Sequence, residues 1–583
     1  LSFPKDHPVA SHGRLLLIAA FLGLAMVWTA RPAEIGEAQT TVGQGLVVGS
    51  VHDRQGQPIS GAHASLIVPG TGEALADASS QPDGEFVLSV SGPIPEELAL
   101  HIEREHFKDA DIPLDSAARA SLRAGQPVAL PDMVMFRRVT ASFWIAAAVF
   151  VGMLILIARG DFHNTLAALL GASVIFAFSY LGRPLYGDFY IFNFAGALRY
   201  IDWNVIFLVM GMMIVIATVE RTGIFQWLAY NAYRLSGGRI WLLVPILMLV
   251  AGIASAFLDN VTTMLLMTPI TIQIALALGI NPLALLMPEV MTSNVAGIST
   301  LIGTPTNILI GSYGQISFNA FLSNLTPGVL IAMLGLVIYS ELAYKEELQS
   351  AGEGEMSDLL LSKLAERANI TEPIHLRKAG VVGLAMLILF VVGEHFNLLP
   401  SITALMGATA LLIWIRPDIE EMIEAVDWTT LVFFIALFIV VGAIQEVGLV
   451  SFIADGISRL VGGNLIVAVL VVTWSSALLS TVIANIPFTA AMLPVIGYLT
   501  ATVPGAGSKV LFYCLSVGSA MGGNGSLIGA SANMVAAGIA ERAGYPITYK
   551  HFLKRGFPAL LITVALASLW LVVRFIVLHE TGQ

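Results

Sequence analysis

The stretch Ser255 to Pro269, SAFLDNVTTMLLMTP, places an ionisable Asp259 and the amide of Asn260 beside two hydroxyls, Thr262 and Thr263, inside an apolar run from about Trp241 to Leu278. A carboxylate at the centre of a bilayer costs about 3 kcal/mol even on the gentler insertion scales, so an acid in this position is expected to serve an ion or a substrate. Further along, Ser480 to Pro494, STVIANIPFTAAMLP, repeats the arrangement: Ser480, Asn485 and Pro494 each fall 225 residues after Ser255, Asn260 and Pro269. The same offset relates Asp202-Trp203 to Asp427-Trp428 and Gly223 to Gly448. The chain is therefore read as an internal duplication whose two polar tips occupy equivalent places.

The composition agrees with a membrane setting. Of 583 residues, 56% are hydrophobic and 12% charged, with a mean hydropathy of +0.81; a soluble domain cannot hide that much apolar surface. The net charge of −11 is spread through the N-terminal region and the loops and says little about partners. One cysteine, Cys514, excludes an intrachain disulfide framework and a thiolate metal cluster. No Walker A sequence and no dinucleotide fingerprint are present, so the energy for transport has to come from an ion gradient or a separate partner. Neither a nucleophile–base pair nor a metal-ligand cluster emerges, which argues against an enzyme. Bound Na⁺ is the only candidate cofactor; the expected partners are a small ion and the lipid bilayer, with no nucleic acid.

Outward from the two tips, the chain takes an ordered form. Residues 1–31 are expected to hold a transmembrane anchor, with Lys5 and Arg14 flanking the run Leu15 to Thr29, although the TARPA that follows also suits a cleavage site. From 40 to 138 short alternating runs (LVVGSVHD, ASLIVPG, EFVLSV) are parted by turn residues such as Pro82-Asp83-Gly84, which predicts a small all-β sandwich. The pairing of GSVHDRQGQPISGA with PDGEFVLSV resembles carboxypeptidase regulatory-like domains, which implies an adhesive or structural module. The first repeat, 139–344, predicts spans at 141–158, 164–181 and 202–219, an amphipathic connector at 221–238, a hairpin at 240–278, a broken helix at 283–314 and a closing span at 327–344. A charged linker, 345–378, leads to the second repeat, 379–583, which runs through the same order. Each hairpin has polar groups at its tip, so a re-entrant pair fits as well as two spans.

Basic residues give the orientation. With the N-terminus in the cytoplasm and the β unit outside, sixteen Lys and Arg fall on the cytoplasmic side, against four in short outer loops: Arg183, Arg199, Arg459 and Lys509. The two halves are then inverted copies of one another. The Asp259 hairpin enters from the cytoplasm and the Asn485 hairpin from outside.

Helices unwound at Gly297 to Pro305 and at Gly522 to Ser531 free backbone carbonyls, Gly303 and Gly529 among them, that replace an ion's water. Side-chain oxygens of Asn260, Asn307, Asn485 and Asn533, and hydroxyls of Thr262, Thr263, Thr304, Thr489 and Ser531, add neutral hard ligands suited to Na⁺ or to an oxyanion. Asp259 either neutralises a bound cation or carries a proton, and Glu289, on the way into the first broken helix, is a second candidate proton carrier.

The segments SAFLDNVTTMLLMTPITI, STLIGTPTN and GGNGSLIGASANMVAAGIAERAGY resemble the ion transporter superfamily with a citrate-transporter-like domain. That group spans divalent anion/sodium symporters, arsenite efflux permeases, sodium/proton antiporters and the melanosomal P protein. The resemblance covers about residues 139–578 and is strongest to the P protein in the GGNGSLIGASAN segment. It implies an all-α inverted-repeat transporter with two re-entrant hairpins and two broken helices, elevator-like alternating access and a homodimer. By its motifs, sodium-binding positions carry over to Asn260 and Asn485, each nine residues before a proline, and to the Gly303-Thr304-Pro305 loop with its partner at Gly529. The Ser and Thr that hold a carboxylate substrate in sodium/dicarboxylate members do not: the tips here read Asp259-Asn260-Val261 and Ala484-Asn485-Ile486. An ionised Asp259 repels a dicarboxylate, so the expectation is Na⁺ or proton-coupled cation exchange, with arsenite or an organic or divalent anion as the alternative. A membrane-anchored adhesion protein working through its β unit is the reading from a different class; it needs neither duplicated tips nor broken helices.

Overall fold

The computed structural model describes residues 44–578, apart from 55, 57, 161, 238 and 350–369. The expected anchor at 1–31 and most of the 345–378 linker lie outside the described residues. The chain divides into two compact units, Leu1–Phe136 and Arg137–Gln583.

In the first unit, alternation along the strands builds two sheets. Strands β1 (Gln44–Asp53), β2 (His63–Ile67), β3 (Ala74–Ser79), β4 (Glu85–Ser91), β5 (Ala99–Glu103) and β6 (Ala110–Pro113) are followed by helix α1 (Ser116–Arg123) and then by β7 (Val128–Ala129) and β8 (Met133–Met135). One sheet runs β4-β1-β7 with β8 also on β1; the other runs β3-β2-β5-β6. In β4 the sequence EFVLSVS buries Phe86, Leu88 and Val90 and exposes the residues between them. These meet Leu66, Leu100 and Ile102 of the other sheet in one core. Helix α1 departs from the expected all-β unit. Asp115 caps it, its carboxylate accepting from the Ala118 amide at 2.6 Å, and this capping signal stands plainly in the sequence DSAARASLR.

Gly84 closes the turn before β4 at φ 82°, where a Cβ would stand 2.5 Å from the Val51 carbonyl oxygen. Gly84→Ala is therefore expected to destabilise this unit by about 2 kcal/mol, through left-handed strain and overpacking. Limited proteolysis within residues 44–136 measures it; wild-type protection in the variant would contradict the assignment.

The second unit is helical. It runs α2 (Ala141–Arg159), α3 (Asn164–Ala177), α4 (Phe194–Arg199), α5 (Trp203–Glu220), α6 (Ile224–Ser236), α7 (Ile240–Phe257), α8 (Asn260–Ala277), α9 (Leu283–Ala296), α10 (Pro305–Tyr313), α11 (Phe318–Ala343) and α12 (Lys345–Gln349). It continues with α13 (Pro373–Val392), α14 (Pro400–Ile415), α15 (Ile419–Glu424), α16 (Trp428–Glu446), α17 (Leu449–Val461), α18 (Leu465–Ser480), α19 (Asn485–Thr502), α20 (Val510–Gly522), α21 (Ser531–Arg542) and α22 (Tyr549–Val572). Among the described residues nine helices are long and apolar enough to cross a membrane, as a multi-pass membrane protein requires.

Local signals recur at the repeat spacing. Asp202 and Asp427 cap α5 and α16 through their carboxylates. The connectors α6 and α17 each start after a left-handed glycine, Gly223 or Gly448, and stop at another, Gly237 or Gly462. The helices sort into two packed groups. One holds α2, α3, α5, α13, α14 and α16; the other holds α7 to α11 and α18 to α22, with α6 and α17 as the connectors between them. Within the second group, α8 packs on α21 and α19 on α10, so each repeat lays a helix that follows its tip against the far half of the other repeat's broken helix.

Candidate functional site

Four interrupted elements meet at the core of the second group: the α7–α8 and α18–α19 turns, and the breaks between α9 and α10 and between α20 and α21. Hydrogen bonds at these breaks repeat across the two halves. Ser255 Oγ donates to Ser293 O at 3.1 Å, and Ser480 Oγ to Ser519 O at 2.6 Å. Thr300 Oγ1 donates to Ala256 O as Ser526 Oγ donates to Thr481 O. Asn307 Nδ2 donates to Ile298 O and Thr300 O at 3.1 and 2.8 Å, stapling the first break. Asn533 Nδ2 does the same to Gly523 O and Ser526 O at 2.8 and 2.9 Å. A single pattern of side-chain types thus holds both loops open, with every one of these side chains buried.

Held this way, the loops bring helix-terminal carbonyls together. A Cβ on Gly303 would run into Gly297 O and lie 2.6 Å from Ser255 O and 2.9 Å from Ala256 O. At Gly529 it would lie 2.9 Å from Gly523 O and 3.2 Å from Ser480 O. Each glycine therefore faces carbonyls from the ends of two helices, α7 and α9 in one repeat, α18 and α20 in the other. Such ends carry partial negative charge, and their orphan oxygens suit a hard cation.

Between the two cradles runs a chain of amides. Asn260 Nδ2 donates to Asn294 Oδ1 at 2.8 Å, and Asn294 Nδ2 donates to Asn524 Oδ1 and Asn533 Oδ1, each at 2.9 Å. Asn524 Nδ2 continues to Met291 O at 3.1 Å. On the other side Ser516 Oγ donates to Asn307 Oδ1 at 2.6 Å. Each staple asparagine is thus also tied to the opposite repeat.

The expected site residues divide between this core and local roles. Asn260, Asn307, Asn533, Gly303 and Gly529 come together. Asn485 is buried at the N-terminus of α19, with Thr489 one turn further on, its hydroxyl without a partner among the described residues. Thr304 caps α10: its Oγ1 accepts from the Asn307 amide at 3.2 Å, with Pro305 as first helical residue. Ser531 opens α21. At the first tip the polar groups serve the helix. Asp259 accepts from the Thr262 amide at 2.9 Å and from Thr262 Oγ1 at 2.6 Å, while Thr263 Oγ1 donates to Asp259 O at 3.0 Å. Glu289 lies elsewhere, fully buried in α9 and accepting from Thr271 Oγ1 at 2.9 Å.

Asn294, Asn524 and Ser516 are the residues the sequence reading did not single out. Past the hairpins the repeat spacing is 226, as between Gly303 and Gly529, and it puts Ala520, Ile298 and Val290 at their counterparts, so a search by duplication passes over them. Their signal is a polar side chain in an otherwise apolar or glycine-rich run.

The citrate transporter family matches residues 152–510 of this chain. An uncharacterized transporter of Mycobacterium tuberculosis is 35% identical over 435 residues, covering 74% of this chain and 99% of that protein. The human P protein is 32% identical over 540 residues, covering 79% of this chain and 63% of its own length. Among solved structures, the antimetabolite efflux pump MtrF of Neisseria gonorrhoeae aligns with a TM-score of 0.45 at 12% identity, over 74% of this chain and 94% of that one. The YdaH transporter of Alcanivorax borkumensis aligns at 0.41 and 15% identity, over 76% and 99%.

Proposed function

Since the chain belongs to the citrate transporter family, we propose that it is a secondary active transporter in which Na⁺, held at the Gly303 and Gly529 cradles, drives the movement of its substrate. The observation that carries this reading is the pair of carbonyl cradles, stapled open by Asn307 and Asn533 at equivalent places in the two repeats. A neutral set of carbonyl and amide oxygens can replace the water of a monovalent cation without holding it too tightly to release.

The repeats are proposed to lie inverted in the membrane, with α7–α8 and α18–α19 as re-entrant hairpins and the second helix group moving as a block against the first. Packing between the groups favours this. Helix α10 packs on α5, α19 on α16, and α11 on α13, where Phe318 stacks on Phe390 with centroids 5.4 Å apart. The repeat-equivalent pairings, α21 on α16, α8 on α5 and α22 on α2, are slight or lacking. By the orientation read from the basic residues, every strong contact lies in the outer half. That is the asymmetry expected of a block displaced toward the cytoplasm.

Purified protein in sealed vesicles tests the reading: an inward Na⁺ gradient is expected to drive radioactive sodium uptake, and uptake indistinguishable from empty vesicles would overturn it. Asp259→Asn keeps an N-cap residue, so the helix is expected to remain stable. Losing one charge four residues from the Ser255 carbonyl is expected to cut sodium flux about ten- to a hundredfold. Unchanged flux would leave Asp259 as a cap alone. A second reading, an anionic co-substrate, is favoured by the N-termini of α8, α10, α19 and α21, which all open onto this core, and by the citrate in the family's description. Citrate, succinate and arsenite added to the same vesicles separate the candidates. The homodimer is also proposed, and light scattering at twice the chain mass would support it.

A further inference from the structure

Glu289 stands apart from the cradles in a second polar feature, a seam between α8 and α9. These two helices are joined by a short loop and pack on one another, with Thr271 on α8 bonded to Glu289 on α9; Thr268 lies one turn from Thr271, and Thr292 lies one turn from Glu289 with its methyl beside Gly252 of α7. All four side chains are fully buried. One carboxyl oxygen of Glu289 accepts from the Thr271 hydroxyl at 2.9 Å. The other, Oε2, has no partner among the described residues, and neither do the hydroxyls of Thr268 and Thr292.

Among the described residues no cation pairs with this acid. Helices α7 and α8 carry no titratable side chain, and those of α11, α20, α21 and α22, Cys514, Glu541 and Arg555 included, make no hydrogen bond or ion pair with it; its one hydrogen bond comes from the Thr271 hydroxyl. With the cradles empty, an ionised carboxylate held by a single neutral donor is costly in such a place, whereas a protonated one needs little compensation. The seam leads along α9 toward Asn294 and the first break.

We propose that Glu289 is a proton-binding site of the moving block, loaded when the cradles are empty and discharged when a cation arrives, so that the protein exchanges protons for sodium. The proton leaves water on one side to form an O–H bond at Oε2 and returns to water on the other, with no further reactant. Glu289 lies eight residues before Gly297, about 12 Å along the helix. A unit charge at that distance changes proton affinity about tenfold at the permittivity usual for protein sites, enough to couple the two ions. The exchange rests on the sodium reading above; the proton site itself does not.

Two measurements test it. Infrared spectra of the purified full chain at neutral pH are expected to show a deuterium-sensitive protonated-carboxyl band that is missing from Glu289→Gln. In vesicles with an imposed sodium gradient and a trapped pH dye, Glu289→Gln is expected to lower the ratio of proton to sodium flux at least tenfold. Glu289→Asp restores that ratio with a displaced pH profile. A wild-type spectrum identical to that of Glu289→Gln, or an unaltered flux ratio in Glu289→Gln, would overturn the proposal. Wild-type vesicles that move no sodium would overturn the cation reading and the exchange with it, while the infrared band still decides whether Glu289 holds a proton.

Discussion

Gly303→Ala is expected to abolish sodium-driven flux, with a loss of a hundredfold or more, while Gly529→Ala loses about tenfold. The order follows from space. At Gly303 the added methyl runs into Gly297 O and crowds Ser255 O and Ala256 O at 2.6 and 2.9 Å, so it occupies the place where a cation meets those oxygens. At Gly529 the nearest oxygens stand at 2.9 and 3.2 Å, so the loop has less to yield. Overpacking by one methyl costs about 1–3 kcal/mol, and each 1.4 kcal/mol is about tenfold in affinity. Radioactive sodium uptake at several external concentrations measures the effect. Wild-type uptake in Gly303→Ala, or a larger loss at Gly529 than at Gly303, would contradict the geometry.

Asn294→Ala is expected to produce the largest loss of stability of any single side-chain truncation in the core. The amide accepts from Asn260 and donates to both Asn524 and Asn533, all of them buried. Removing it strands three polar groups, at about 1–3 kcal/mol each, though their shared network makes the sum less than additive. A fall in melting temperature of about 5–10 °C in detergent is expected, together with loss of sodium uptake. Asn294→Leu fills the volume but leaves the same three groups without partners, and it is expected to do no better. Either variant melting with the wild type would show that the amide chain does not hold the two repeats together.

Much of this arrangement is legible before any coordinates. The offset of 225 between Asn260 and Asn485 locates both tips, and the glycine-rich runs at 297–305 and 522–531 locate both breaks, because a duplicated fold has to satisfy the same orphan groups twice. Two things are not legible for the same reason. Asn294 and Asn524 join the halves to each other, a task that needs no copy, and so they have no counterpart in register. The role of Asp259 is the other: an acid three residues before a threonine is both a membrane-buried charge and an ordinary helix cap, and only the two hydrogen bonds from Thr262 show that the carboxylate is already engaged. Its counterpart Ala484 has no such group, so the tips are alike in backbone and unlike in charge. Glu289 was visible as an acid in an apolar helix. Its unpartnered oxygen was not, because that depends on which residues of α8 face it.

Binding of radioactive sodium to the purified chain, counted at saturation, bears most directly on the two cradles. Two ions per chain are expected, one for each set of helix-end carbonyls at Gly303 and Gly529. A chain that binds no sodium at saturating concentration would contradict the account at its root.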